Sequence, residues 1–196
     1  MRSMNDIRRL HTRALDSAGE LVARVRSADL ANPTACADWH LLALLTHAIG
    51  QNRGFAAAVQ DGDAPATAYT LPPPPADSLA AEWTRSAQRL TEAISGAPRE
   101  ARVRLVEFGP DAVFPVDTVV GFHLLDTTVH AWDIASGLGQ SYRPDDELVE
   151  ATAVIATQVP AGDARTRPGA AFTAALPGDD DDPWIRALAW LGRSAT

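Results

Sequence analysis

Lysine is missing from this chain. All 17 basic residues are arginines, and 25 acids outnumber them, for a net charge of -8 and a pI near 5.0. A nucleic-acid footprint needs a concentrated basic face, and the arginines form none in the sequence, so no nucleic-acid partner is expected. Cysteine occurs once, at Cys36, which rules out an intramolecular disulfide framework. No run of about 18 apolar residues is present to span a membrane. The N-terminal stretch MRSMNDIRRLHTRAL lacks the apolar core and small-residue cleavage site of a signal peptide. These absences leave a cytoplasmic protein with a small-molecule substrate as the expectation. The 196 residues suffice for one domain that buries its own core without staples.

Apolar spacing fills in the rest. Ile7, Leu10, Ala14, Leu15, Ala18, Leu21, Val22 and Val25 form a stripe of helical period over residues 5 to 27, with Asn5 and Asp6 as capping candidates. After Pro33, Asp38 offers an N-cap for a second, widely apolar helix to about residue 60, stopped by Gly62. The Pro-rich stretch APATAYTLPPPPADS reads as an extended, non-helical surface connector. A third helix follows, with Asp77 or Ser78 as its cap and Gly96 and Pro98 as its end. The alternation in ARVRLVEFGPDAVFPVD, broken by Gly-Pro-Asp, predicts a short hairpin. A fourth helix runs from about Asp117 to Ser136, closed by Gly137 and Gly139, and two more segments, DDELVEATAVIATQV and DPWIRALAWLG, complete a helical tail. The expected fold is therefore mainly all-α. It is a four-helix bundle with its core over about 5–138, a short hairpin, helix four facing helix two, and a C-terminal helical extension over about 139–196.

The chemistry-bearing residues gather on helix four. In HLLDTTVHAWD, His123, Asp126 and His130 recur at helical spacing and share one face, and Asp126 and His130 form an i, i+4 clamp suited to a divalent ion. Helix two adds His47 within LLALLTHAIG, where a buried imidazole needs partners for its nitrogens. The same residues admit a plainer reading, with His47 as a hydrogen-bonded core residue and Asp126 and His130 as a charged pair. Asp133 can accept a hydrogen bond from His130 or stand as a solvated carboxylate. Trp39 and Trp132 read as packing anchors. Cys36, ahead of helix two, reads as an inert small residue, because no His or Lys adjoins it in sequence. The run Asp179 to Asp182 lacks EF-hand spacing, and its last acids suit the start of the final helix.

CADWHLLALLTHAIG, LDTTVHAWDIASGLGQ and the closing ALAWLGR resemble, in order and spacing, the DinB/YfiT-like metal-binding superfamily. More closely they resemble the actinobacterial branch related to the N-terminal domain of mycothiol-dependent maleylpyruvate isomerase. The resemblance implies a DinB-like bundle whose divalent metal, zinc or nickel, is held by His47, Asp126 and His130. It implies a small thiol such as mycothiol as co-substrate, and S-transfer, isomerisation or hydrolysis as the reaction; beside it, His123 reads as a further ligand, an outer-shell partner or a base near the bound water, and His123 or Asp133 as the catalytic proton-transfer group. It also raises the expectation of a homodimer. Two departures stand out. Many relatives carry Glu where this chain has Asp126, and the isomerase has a second domain for which this chain is too short. The first keeps an alternative in view, a non-catalytic metal- or small-molecule-binding bundle with a degenerate site.

Overall fold

Several helices start where a side chain meets the unpaired N–H groups of the first turn. The computed structural model describes residues 4–36, 39–165, 172–178 and 180–194. Contacts between Cα positions divide the chain into two compact units, Met1–Ser141 and Tyr142–Thr196. The fold is mainly helical with one short antiparallel hairpin, as the apolar spacing predicts.

In the first unit, α1 spans Met4–Val22, α2 Leu41–Asp61, α3 Leu79–Gly96 and α4 Val116–Gly137. α1 lies against α4 and α2 against α3, and the contacts of α1 with α3 and α2 with α4 close a four-helix bundle. Helix four does meet helix two, but its more extensive neighbour is α1. Leu15, Leu44, Leu45, Ile49, Leu90, Leu124 and Ile134 are fully buried and form the apolar centre. Arg8 ties three elements together: its Nε donates to Asp117 at 2.8 Å, and its Nη1 donates to the carbonyls of Ile94 and Ala97 at the end of α3. Strands β1 (Arg102–Arg104) and β2 (Val113–Pro115) pair with Val103 opposite Phe114.

Several boundaries differ from the sequence reading. α1 ends at Val22, so Val25 lies beyond it, and it begins at Met4, which puts Asn5 and Asp6 inside its first turn rather than ahead of it. α2 is capped by His40, whose Nδ1 accepts from the Ala43 N–H at 3.3 Å. Asp38, the expected cap, lies outside the described residues. Ser78 precedes α3 but donates its hydroxyl to the Pro75 carbonyl instead of capping the helix. The end of α4 follows expectation: Gly139, at φ +65°, lets Gln140 N–H reach the Ala135 carbonyl and Gly139 N–H reach that of Ser136, a Schellman motif.

The connector is the largest correction. It is not simply extended, since 3₁₀ turns form at Ala66–Tyr69 and Ala76–Ser78. Nor does all of it lie on the surface, because Tyr69 is buried against α2 at Gly50 and Gly54. Short 3₁₀ turns satisfy backbone groups between prolines where an α-helix cannot continue.

In the second unit, α5 (Asp146–Ala156) is capped by Asp145, which accepts from Glu147 and Leu148 N–H. α6 (Pro183–Trp190) is capped by Asp182, which accepts from Trp184 N–H at 2.8 Å, so the last acid of the aspartate run does serve the final helix. Asp179 lies outside the described residues. No helix among the described residues is long and apolar enough to cross a membrane.

Candidate metal site

Helices α2 and α4 bring their polar residues together inside an otherwise apolar bundle. Near-continuous apolar residues commit α4 to the interior, with Val120, Leu124, Val129 and Ile134 all buried. His123, Asp126 and His130 are thereby carried inward with it. On α2, Leu44, Leu45 and Ile49 do the same for His47. One ligand atom each from His47, Asp126 and His130 lies within 4.8 Å of the other two. The rings of His47 and His130 meet edge to face with centroids 5.4 Å apart. Trp39 lies over His47 at 4.5 Å and is tilted toward His130 at 6.3 Å, so this tryptophan packs on the site itself.

The two nitrogens of His130 have separate partners. Nδ1 lies 2.9 Å from Asp133 Oδ2, and Nε2 lies 3.3 Å from Asp126 Oδ1. Asp133 is completely buried, and the structure selects its hydrogen-bonded reading over the solvated one. Its carboxylate holds the proton on His130 Nδ1 and turns Nε2 toward Asp126 and His47, the outer-shell arrangement usual for a metal-bound imidazole. Asp126 keeps its carboxylate partly open, at 27% side-chain exposure.

The electrostatics favour a cation. Burial lowers His47 to about 4, so it is a neutral imidazole with a lone pair to offer at neutral pH. Burial pushes Asp126 upward, but the neighbouring His130, with His47 and His123, outweighs this and holds the carboxyl below its ordinary range. Burial likewise pushes His130 down, yet Asp126 and Asp133 together raise it to about 9. Two carboxylates around one imidazole therefore demand a positive charge at this point, which a proton or a divalent ion can provide. The donor set of two imidazoles and a carboxylate suits zinc or a similar ion.

His123 is not within that trio. It is buried, with Nδ1 2.9 Å from His11 Nε2 and 3.0 Å from Thr127 Oγ1, and its ring meets Phe55 at 4.7 Å. Sequence reading passed over His11, since a single histidine on an amphipathic first helix gives no sign that it reaches α4. It also missed Glu107, on a turn of the hairpin loop. That side chain accepts from the Gln51 amide at 2.9 Å, and desolvation, with the charge of Asp126 adding, raises its carboxyl. Cys36 likewise comes within 4.8 Å of ligand atoms of His130 and Asp133, a neighbourhood invisible in sequence. The His130 to Asp133 hydrogen bond already occupies that side of the imidazole. Arg53 and Arg85 both pair with Glu82 at 2.5 Å.

Replacing Asp133 by Asn leaves a group of the same shape that no longer holds His130 by charge. The expected result is a loss of zinc affinity of roughly 10–100-fold with the fold retained, read by calorimetric titration beside circular dichroism. An unchanged affinity would show that Asp133 only fills space.

Buried neutral histidines also set a pH response. Burial lowers His123 to about 4, and burial together with the neighbouring His123 lowers His11 well below the usual range. The unfolded chain binds protons near 6.5 at these positions and at His47, while the fold resists them. The metal-free protein should therefore lose stability progressively as pH falls from about 6.5 toward 4. The raised His130 does not offset this, because its contribution is already complete below 6.5 and is lost only as pH rises through about 9. A urea midpoint that stays constant between pH 7 and 4.5 would contradict the assignment.

Comparison with known proteins agrees with this architecture. Residues 11–135 match the family model described as the mycothiol maleylpyruvate isomerase N-terminal domain. The uncharacterised proteins Rv0738 and MT0763, from two strains of Mycobacterium tuberculosis, are each 32% identical over 188 residues, 94% of this chain and 96% of theirs. Among solved structures, the mycothiol-dependent maleylpyruvate isomerase aligns with a TM-score of 0.60 at 16% identity, over 79% of this chain and 68% of that one. A histidine-to-alanine mutant of the same enzyme aligns with a TM-score of 0.57 at 15% identity. At that identity the structural likeness carries the fold alone.

Proposed function

The chain belongs to the mycothiol maleylpyruvate isomerase N-terminal domain family, and from that premise we propose that it is a divalent-metal-dependent enzyme acting on a small thiol of the mycothiol kind, or on water. The chemistry is S-transfer, isomerisation or hydrolysis of an electrophilic small molecule. The observation that carries this reading is the convergence of His47, Asp126 and His130 within 4.8 Å, with His130 oriented by the buried Asp133. A bound divalent ion contributes Lewis acidity, which lowers the pKa of a thiol or water brought to it.

The chain's own residues supply the rest. His47, Asp126 and His130 would hold the ion, zinc or nickel, from two helices whose apolar packing fixes their spacing. Asp133 keeps the His130 tautomer that leaves Nε2 available. Trp39 covers one side of the imidazoles and keeps water from them. His123, one turn before Asp126 on α4, is the imidazole outside the trio that offers a proton acceptor. The decisive experiment has two stages. Metal content of tag-free protein purified without chelator is measured first, and metal-dependent loss of free thiol against an electrophile such as maleylpyruvate is followed second. Metal-bound protein that consumes thiol only when loaded supports the proposal.

One feature favours a second reading. A protonated His130 between Asp126 and Asp133 satisfies all three side chains without any ion, so the cluster can serve as a structural polar network or a binding-only site. Protein that takes up no zinc and loses nothing on chelation would establish that reading instead.

A further inference from the structure

The metal-site reading leaves one buried polar arrangement unused. His11 on α1 and His123 on α4 are each 1% exposed, and their rings meet with Nε2 of His11 2.9 Å from Nδ1 of His123. Thr127 Oγ1, one turn along α4, lies 3.0 Å from the same Nδ1. The other nitrogen, His123 Nε2, is buried without a hydrogen-bond partner. His123 precedes Asp126 by three residues and His130 by seven, on the helix face that carries the clamp, and the charges of Asp126, His130 and His47 all act on it.

A neutral imidazole carries one N–H, so two arrangements exist. If the proton sits on Nε2, a buried N–H has no acceptor, and Nδ1 must receive from His11 and Thr127 with a single lone pair. If it sits on Nδ1, that N–H is donated to His11 Nε2 with Thr127 Oγ1 alongside, and Nε2 is left as a bare lone pair. An unmet buried donor is the rarer and costlier defect of the two.

We propose that His11 is a positioning residue for His123: by accepting the Nδ1–H hydrogen bond, it holds His123 in the tautomer whose bare Nε2 serves the α2–α4 site as proton acceptor. Resting on the metal-dependent reading above, the step is balanced. The S–H or O–H proton of the thiol or water adds to His123 Nε2, the bond electrons remain on sulfur or oxygen, and the resulting imidazolium keeps its Nδ1–H on His11 until the proton returns to product. His11 thus does for His123 what Asp133 does for His130, with a neutral partner instead of a charged one. The weaker neutral partner leaves His123 less basic than an imidazole tied to a carboxylate.

Long-range proton–nitrogen NMR of the metal-free, nitrogen-labelled full chain tests this, because a bare ring nitrogen resonates far downfield of a protonated one. The expected spectrum shows His123 with Nδ1 protonated and Nε2 bare. H11F, which removes the acceptor, is expected to move His123 to the Nε2–H form or to a mixture, whereas H11Q, whose amide oxygen can accept, is expected to keep the wild-type pattern. A wild-type His123 already protonated on Nε2, or an H11F protein with an unaltered His123 pattern, overturns the proposal. Should H11F fail to fold, the wild-type and H11Q spectra decide alone. Adding zinc chloride to the same wild-type sample separates the two readings: shifts of His47 and His130 report metal binding, whatever tautomer His123 holds.

Discussion

Purified protein carrying His47→Ala and His130→Ala together is expected to hold no divalent ion, against about one per chain in the wild type. The two substitutions remove both imidazole donors and leave Asp126 as a single, partly exposed carboxylate, and one monodentate oxygen does not retain zinc against water. Affinity should fall by at least about three orders of magnitude, since each ligand lost is worth more than the 10–100-fold typical of an outer-shell partner. Elemental analysis by mass spectrometry reads the stoichiometry, and circular dichroism confirms that the bundle persists. The single variants divide the effect. His47→Ala removes a half-buried side chain and should leave stability nearly unchanged, whereas His130→Ala takes the imidazole away from the fully buried Asp133 carboxylate and should also lower the melting temperature. A double variant that still binds one zinc per chain would place the ion elsewhere.

The second large effect concerns the connector and α2. A Cβ built on Gly50 falls 2.2 Å from the backbone carbonyl oxygen of Tyr69, and one on Gly54 falls 2.2 Å from the Tyr69 ring. Both are far inside van der Waals contact, so each alanine must lift the connector off the helix or displace α2. Gly50→Ala should cost about 3 kcal/mol or somewhat more, in spite of alanine's better helix propensity. The obstacles differ in kind, which makes the prediction specific. Tyr69→Ala removes the ring and should restore part of the stability lost in Gly54→Ala. It cannot restore Gly50→Ala, where the collision is with main chain. Denaturant midpoints for the two double-variant pairs measure this, and equal rescue of both glycines would refute the geometry.

Much of this protein follows from local pattern. The shared face of His123, Asp126 and His130, the i, i+4 relation of the last two, and the Gly139 stop depend on helical period and on one glycine's access to positive φ, so the sequence settles them without reference to the rest of the chain. The alternation around Gly-Pro-Asp likewise yields the hairpin. Caps were less legible: His40 replaces the usual small polar residue at α2, and Ser78 gives its hydroxyl to a preceding turn. Short-range hydrogen bonds of this strength compete closely, and a residue's type does not say which one it makes.

By itself, the sequence determined which side chains share a face of one helix, because that depends only on a 3.6-residue repeat. The tertiary structure decided which faces meet. Packing of α2 with α4 put His47 beside Asp126 and His130, and packing of α1 with α4 put His11 against His123. It brought Cys36 and Glu107 to the same neighbourhood and seated Tyr69 over two glycines whose lack of a side chain makes room for it. Such contacts join residues from 15 to 112 positions apart. They are set by how apolar surfaces exclude water together, a collective property that no local window of sequence contains.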